Sequence, residues 1–238
     1  MGQAIRNTLS NTHLLADVEP TILDMFFSSA TSKSVKKGQV LFMHEDEATH
    51  FYVIKQGWVK LFRETYDGDE VVVDVLNDGH IFGETSIFEQ DIYSYGAQAV
   101  EDVELISIPL SVLKNKIQKS PEFAMRMFGA MSRFRKQQDF ELEHRDVQNA
   151  PQRIGCFLLR LCKPDAYEAV TLHLPYDKTL IASRLGMKPE TFSRGLSKLR
   201  NETGIRIKGA TVEIDTIEQL TNYSCSACSS TYPCQDMH

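Results

Sequence analysis

Glycines at 57, 68 and 79 fall eleven residues apart, and this regular interruption narrows the architecture of the first half of the chain. Another glycine stands at 38. Between and around them lie short β-rich runs: Val40 to Met43, Phe51 to Ile54, Trp58 to Phe62 and Val71 to Val75, with Val103 to Ile108 further on. Short strands at a spacing of ~8–12 residues indicate an antiparallel sandwich or barrel. Tyr66-Asp67-Gly68-Asp69 reads as a hairpin turn, because Asp-Gly tolerates positive φ.

Helical spacing frames this region. Ser10 or Asn11 offers a cap, and Leu14, Leu15, Val18, Ile22, Leu23, Phe26 and Phe27 recur at intervals of three and four, predicting a helix over 8–30. From Pro121 to about Gln148 there is no further proline and one glycine, Gly129. Phe128, Met131, Arg135, Gln138, Leu142 and Arg145 form one stripe, and Phe123, Met127, Ala130 and Phe134 a second. Two stripes predict a helix that packs on its own domain and on a twin in a parallel dimer. Asn149-Ala150-Pro151 breaks it. Ile154, Phe157, Leu158 and Leu161 begin a new helix, in which Cys156 and Cys162 read as buried structural thiols.

The chain carries a net charge of −6, but residues 177–208 hold eight basic side chains (Lys178, Arg184, Lys188, Arg194, Lys198, Arg200, Arg206, Lys208) against Asp177, Glu190 and Glu202. A basic module in an acidic body points to an anion-binding face. Its pattern is specific. Leu180, Ile181 and Leu185 make a short amphipathic helix from Thr179, Gly186 ends it, and Pro189 opens the next. Phe192, Leu196 and Leu199 are the buried stripe of that second helix. Glu190, Thr191, Ser193, Arg194 and Ser197 take its other faces, with Lys188 and Lys198 beside them, and these, with Thr179 of the first helix, are the candidate DNA contacts. Two helices around a glycine turn make a helix-turn-helix, whose second helix enters the DNA major groove. There Arg194 suits guanine O6 and N7, and Glu190 suits cytosine N4. Ile205 to Ile214 alternates and turns at Gly209, a β-hairpin wing that places Arg206 and Lys208 for phosphate contact.

The last residues hold Cys225, Cys228 and Cys234. Thiols this close bind a metal, form disulfides or do redox chemistry. With His238 they also make a local Cys3His zinc site.

The chain resembles the CRP/FNR family of transcription regulators over nearly its full length, in the order N-terminal helix, cyclic-nucleotide-binding-type barrel, long dimerisation helix and winged helix-turn-helix. The resemblance implies an α+β fold: a sensor jelly roll over 1–120, a dimerisation helix over 121–149, a DNA-binding domain over 150–220 and a cysteine-rich tail over 221–238. Glu190-Thr191-Phe192-Ser193-Arg194 is similar to the recognition motif of the FNR branch. It implies a homodimer on a palindrome of TTGAT-like half-sites in double-stranded DNA, in contact with RNA polymerase and most often activating.

Relatives that bind cyclic nucleotide use a Gly-Glu pair for the ribose and a downstream Arg for the phosphate. This chain keeps Phe82-Gly83-Glu84, but Tyr95-Gly96 stands where the Arg belongs. A buried phosphodiester needs a cation, so cyclic nucleotide is not expected and Gly83-Glu84 reads as structural. The N-terminal cysteines of cluster-binding FNR relatives are absent, since no Cys precedes 156. Some family members instead carry a four-iron cluster on C-terminal cysteines, with an acidic ligand from the end of the dimerisation helix. That resemblance implies a 4Fe-4S cluster on Cys225, Cys228, Cys234 and Asp146, with Glu143, Glu141, Asp139 and His144 as fallback ligands. The alternatives are zinc, thiol redox switching, a tail without metal, and a haem in the barrel held by His13 or His80. A non-sensing DNA-binding or interaction protein is the alternative of another class.

No run reaches the ~18 apolar residues of a membrane span. The N-terminus lacks a signal-peptide core, and Arg6 stands where a myristoylation signal has Ser or Thr. The expected compartment is the cytoplasm. No nucleophile–base pair or phosphate loop suggests an enzyme.

Overall fold

The computed structural model describes residues 2–162, 169–175 and 177–227. They fall into two compact units, dividing between Ala130 and Met131.

The first unit opens with two helices, α1 (Gly2–Ser10) and α2 (Pro20–Ser28), where the periodicity predicts one. The apolar spacing runs through the break because Thr12, Leu14 and Leu15 between the two helices also turn inward. Leu14 and Leu15 are buried, and buried Thr12 donates its hydroxyl to the Leu9 carbonyl.

Eight strands follow: β1 (Thr31–Val35), β2 (Val40–Phe42), β3 (His50–Gln56), β4 (Val59–Glu64), β5 (Glu70–Leu76), β6 (Ile81–Phe82), β7 (Gly96–Ala99) and β8 (Val103–Pro109). They form two four-stranded antiparallel sheets, ordered β1-β8-β3-β6 and β2-β7-β4-β5. Gly68 closes the β4–β5 hairpin at φ +81, as the Asp-Gly pair predicts. Phe51, Tyr52, Val53 and Ile54 of β3 are buried in succession. This central strand is covered on both faces, so it reads as a continuous apolar run. Gly96 is required by packing, since a Cβ there would lie 2.6 Å from the Phe62 ring. Helix α3 (Leu110–Lys119) and the first turns of α4 (Pro121–Val147) finish this unit, with Phe123 and Met127 in its core.

In the second unit, α5 (Ala150–Leu161) starts at a capping box in which Asn149 and Gln152 satisfy each other's backbone N–H. Strand β9 (Val170–His173), α6 (Lys178–Arg184), α7 (Pro189–Thr203), β10 (Arg206–Lys208), β11 (Thr211–Ile214) and α8 (Glu218–Ser224) follow, with a 3-10 turn at Cys225–Ala227. The sheet order is β10-β11-β9, so the wing hairpin carries a third strand. Ile154, Phe192, Leu199, Val212 and Leu220 close this second core.

Helix α8 corrects one expectation. The chain beyond residue 220 begins inside the packed unit, and Cys225 is partly buried against its core. Cys156 and Cys162 are buried as expected, and burial pushes the Cys162 thiol up to about 11. Among the described residues no helix is long and apolar enough to cross a membrane.

Candidate nucleic-acid interface and sensor sites

The two helices of the DNA-binding module are set by local chemistry. Asp177 caps α6, accepting from the Thr179 N–H at 2.9 Å and its hydroxyl at 2.6 Å. Leu185 and Gly186 turn the chain, with Gly186 at φ +59, and Pro189 opens α7. Gly204 stops α7 at φ +76, the left-handed cap that glycine takes without strain. Phe192, Gly195, Leu196 and Leu199 face inward. Gly195 lets α7 approach α5, since a Cβ there would lie 2.8 Å from Ile154 Cδ1. The remaining positions divide as the sequence predicts. Lys188, Glu190, Ser193, Arg194, Ser197 and Lys198 are exposed and Thr191 is half-buried.

A groove of about 220 Å³ runs between α7 and the wing, lined by Lys178, Ser193, Ser197, Arg200 and Gly209 among others. Lys178 and Arg200 join the predicted contacts here. Their only sequence signal was membership of the basic run.

Two basic residues of that run are already matched. Arg206 is bonded to Asp215 through both Nη atoms at 2.7 Å and to Glu213 through Nε at 2.9 Å. Lys208 lies 3.6 Å from Glu213. Arg184 is engaged inside the protein. It holds Glu141 of α4 by two hydrogen bonds of 2.8 and 2.7 Å, and Arg160 of α5 adds a third at 2.5 Å. Burial disfavours the Glu141 anion, but Arg184 and then Arg160 outweigh it and hold the carboxyl down at about 2. No linear spacing of 141, 160 and 184 signals this triad.

In the barrel, Gly83 (φ +84) starts a 3-10 turn at Glu84–Phe88. Glu84 keeps part of its surface exposed, but its Oε2 is buried without a partner, and burial raises the carboxyl to about 7. The Tyr95 hydroxyl accepts from the Gly83 N–H at 3.0 Å. Burial, and then the Glu84 carboxylate, push its phenol well above the ordinary value. Phe42, Tyr52, Phe82 and Tyr93 stack beside it, with Phe42 and Tyr93 ring centres 3.5 Å apart.

The start of the tail is held by the α4–α5 junction and α5. Gln148 donates from Nε2 to the Ser224 carbonyl at 3.2 Å, and Gln152 to the Tyr223 carbonyl at 3.4 Å and Ser226 Oγ at 3.3 Å. Asp146 is exposed. Cys228, Cys234 and His238 lie outside the described residues. Among the described residues no three His, Cys, Asp or Glu side chains gather closely enough to share a metal ion. His13 and His80 are both exposed, and His80 Nδ1 sits 3.0 Å from the Asn77 carbonyl.

Residues 32–120 match the model of a cyclic nucleotide-binding domain, and residues 152–223 that of a Crp-like helix-turn-helix domain. A solved structure of a candidate cyclic nucleotide binding protein from Ruegeria pomeroyi is 35% identical, covering 94% of this chain and 98% of its own, with a TM-score of 0.75. The Cyclic AMP receptor protein of Thermus thermophilus is 26% identical, over 87% of this chain and 94% of its own. The Fumarate and nitrate reduction regulatory protein of Salmonella typhimurium is 27% identical, over 79% and 76%. With an antiparallel β sensor domain, a long helix and an exposed recognition helix in that order, the chain belongs to the CRP/FNR family of DNA-binding transcription regulators, which are not enzymes.

Proposed function

We propose that this regulator is of the FNR-like branch. It reads TTGAT-like palindromes as a homodimer, contacts RNA polymerase, and has its DNA binding governed by oxygen, nitric oxide or redox state through an iron–sulfur cluster on its C-terminal cysteines. The observation that carries the proposal is the seat of the tail. Gln148, two residues beyond exposed Asp146, and Gln152 hold the Ser224 and Tyr223 carbonyls and the Ser226 hydroxyl, which supports a tail that starts close to the end of α4.

The donor set fits such a cluster. Cys228 and Cys234 follow Cys225 within nine residues. Three soft thiolates and one carboxylate are a ligand set that supplies an oxidisable centre when bound. Of the acids in the second half of α4, Glu141 is held by two guanidiniums and Asp139 lies 3.3 Å from Arg135. Asp146, the last acid of the helix, is the proposed fourth ligand, with Glu143 as the fallback. Tension at the tail would act directly on the Gln148 and Gln152 bonds, and thereby on α5 of the DNA-binding unit.

The barrel supports the branch. The Thermus relative is named a cyclic AMP receptor, but here a buried phosphodiester would meet the neutral Tyr95 phenol and the Glu84 carboxyl in place of a guanidinium. Homodimerisation is supported by Met125, Phe128, Met131, Phe134 and Leu142, all exposed along α4.

The test is anaerobic purification with a visible spectrum, assays of iron, sulfide and zinc, and operator binding before and after air. Brown protein that bleaches in air as DNA binding changes, and Cys225→Ser protein without colour, are expected. Colourless, iron-free protein that still binds the operator overturns the cluster. Stoichiometric zinc would instead assign the tail to a Cys3His site with His238. A haem Soret band would move sensing to the barrel.

A further inference from the structure

The Glu141 triad forms one wall of a cavity of about 40 Å³ inside the second unit. Glu141, His144, Arg145 and Gln148 of α4 and its end line it, with Arg153, Cys156 and Arg160 of α5 and Arg184 of α6. Four arginines and one glutamate thus line it; the Glu141 carboxylate is shared by Arg160 and Arg184, and Arg153 donates to the Leu185 carbonyl. The excess is felt within the cluster. Burial and then the charge of Arg145 make the Arg153 guanidinium easier to deprotonate than an ordinary arginine.

Polar satisfaction singles out the same place. Five buried side-chain N or O atoms among the described residues lack a hydrogen-bond partner, and three of them belong to residues lining this cavity: Arg160 Nε, Arg160 Nη2 and Gln148 Oε1. Gln148 is 94% buried. Its amide orientation is fixed, because the Ser224 carbonyl can only accept and so must face Nε2. Arg160 Nε and Nη2 are the parallel pair of donors that grips two oxygens of an oxyanion. Gln148 Oε1 requires a donor. Sulfate and carboxylate have none, whereas hydrogen phosphate carries both free oxygens and a P–OH group.

We propose that this cavity is a binding site for inorganic phosphate in its protonated forms, held by Arg160 and Gln148 with Arg145 and Arg153 supplying further charge. At ~10–15 Å³ for each water-sized occupant, the cavity takes a group of a few heavy atoms. The site sits on the residues that root the tail, so its occupancy bears on the DNA-binding unit independently of the barrel. It does not rest on the iron–sulfur reading.

The experiment titrates phosphate, and separately sulfate, into the DNA-free full-length protein near pH 7 at constant ionic strength, by calorimetry and ³¹P line broadening. Saturable phosphate binding is expected, with sulfate weaker by about ten-fold for the lost hydrogen bond. Arg145→Gln, at an exposed lining position, should weaken phosphate about ten-fold. Arg133→Gln, an equal charge change on α4 outside the lining, should leave binding unchanged. Gln148→Met should abolish the preference for phosphate over sulfate. No saturable phosphate binding overturns the proposal, as does equal sulfate affinity or an equal effect of Arg133→Gln and Arg145→Gln. Phosphate that affects only the DNA complex would assign these arginines to the DNA backbone, and overturns it too.

Discussion

Substituting Glu84 by Gln should remove a pH dependence that the barrel carries within itself. The carboxyl sits at about 7 against an ordinary 4.5 because it is buried and Oε2 has no donor. Ionising it inside the fold therefore costs about 3 kcal/mol more than in the unfolded chain. The native state holds this proton more tightly, so it binds more protons than the unfolded chain between those two values. The stability tied to Glu84 is then fully present below 4.5, falls as pH rises, and is lost once pH passes about 7. Gln keeps the shape and cannot ionise. Between pH 5 and pH 8 the wild-type barrel should lose about 2–3 kcal/mol relative to Glu84→Gln. Trp58, the only tryptophan, is buried in the same unit and reports its urea unfolding directly. If the two proteins lose stability in parallel over this range, Glu84 ionises freely in the fold, and a neutral barrel interior is the wrong description.

Other perturbations test the second unit. Glu141→Gln strands two largely buried guanidiniums and should destabilise it by about 3–5 kcal/mol, read by hydrogen exchange of α5 and α6 amides. In the wild type the Glu141 contribution is present above 4.5 and disappears as pH falls toward about 2. Ser224→Ala should stabilise by about 1 kcal/mol, since its buried Oγ has no partner. Gly155→Ala drives a Cβ into Ser224 Oγ and should cost about 1–3 kcal/mol in urea unfolding, with a smaller loss in a Ser224→Gly background. Arg194→Ala should cost about 1–3 kcal/mol of discrimination at one guanine, measured by competition between operator and single-base variants. Equal affinity for scrambled DNA before and after the change would refute its assignment.

The sequence was most legible where burial repeats. The glycine-punctuated strands, the Asp-Gly hairpin and the inward stripe of α7 appear at their expected places because each sets one face against a core. Strand β1 escaped notice because four of its five residues are exposed, so no alternation marks it. Strand β7 is Gly-Ala-Gln-Ala, held between β2 and β4 with the Phe62 ring close over Gly96, and its residues carry little β propensity of their own. The break between α1 and α2 is hidden because Leu14 and Leu15, between the helices, are themselves buried and continue the apolar spacing. The Glu141 triad was illegible for another reason: its members come from three helices, and only tertiary packing brings them together.

That triad changes what the basic run means for DNA. A count of eight cations over 177–208 suggests broad electrostatic capture. Arg184, however, is bound to Glu141, Arg206 to two carboxylates, and Lys208 lies near one of them. Among the described residues, the cations of this run without such pairs are Lys178, Lys188, Arg194, Lys198 and Arg200, on or beside the second helix of the motif, with exposed Glu190 among them. Fewer neutralised phosphates mean a shallower salt dependence and weaker non-specific binding. On the proposed reading, Glu190 in the major groove would repel every phosphate and be compensated only where a cytosine amine meets it. A face built this way gives up affinity for arbitrary DNA and keeps affinity for the matched sequence, as a regulator that must release non-operator DNA requires.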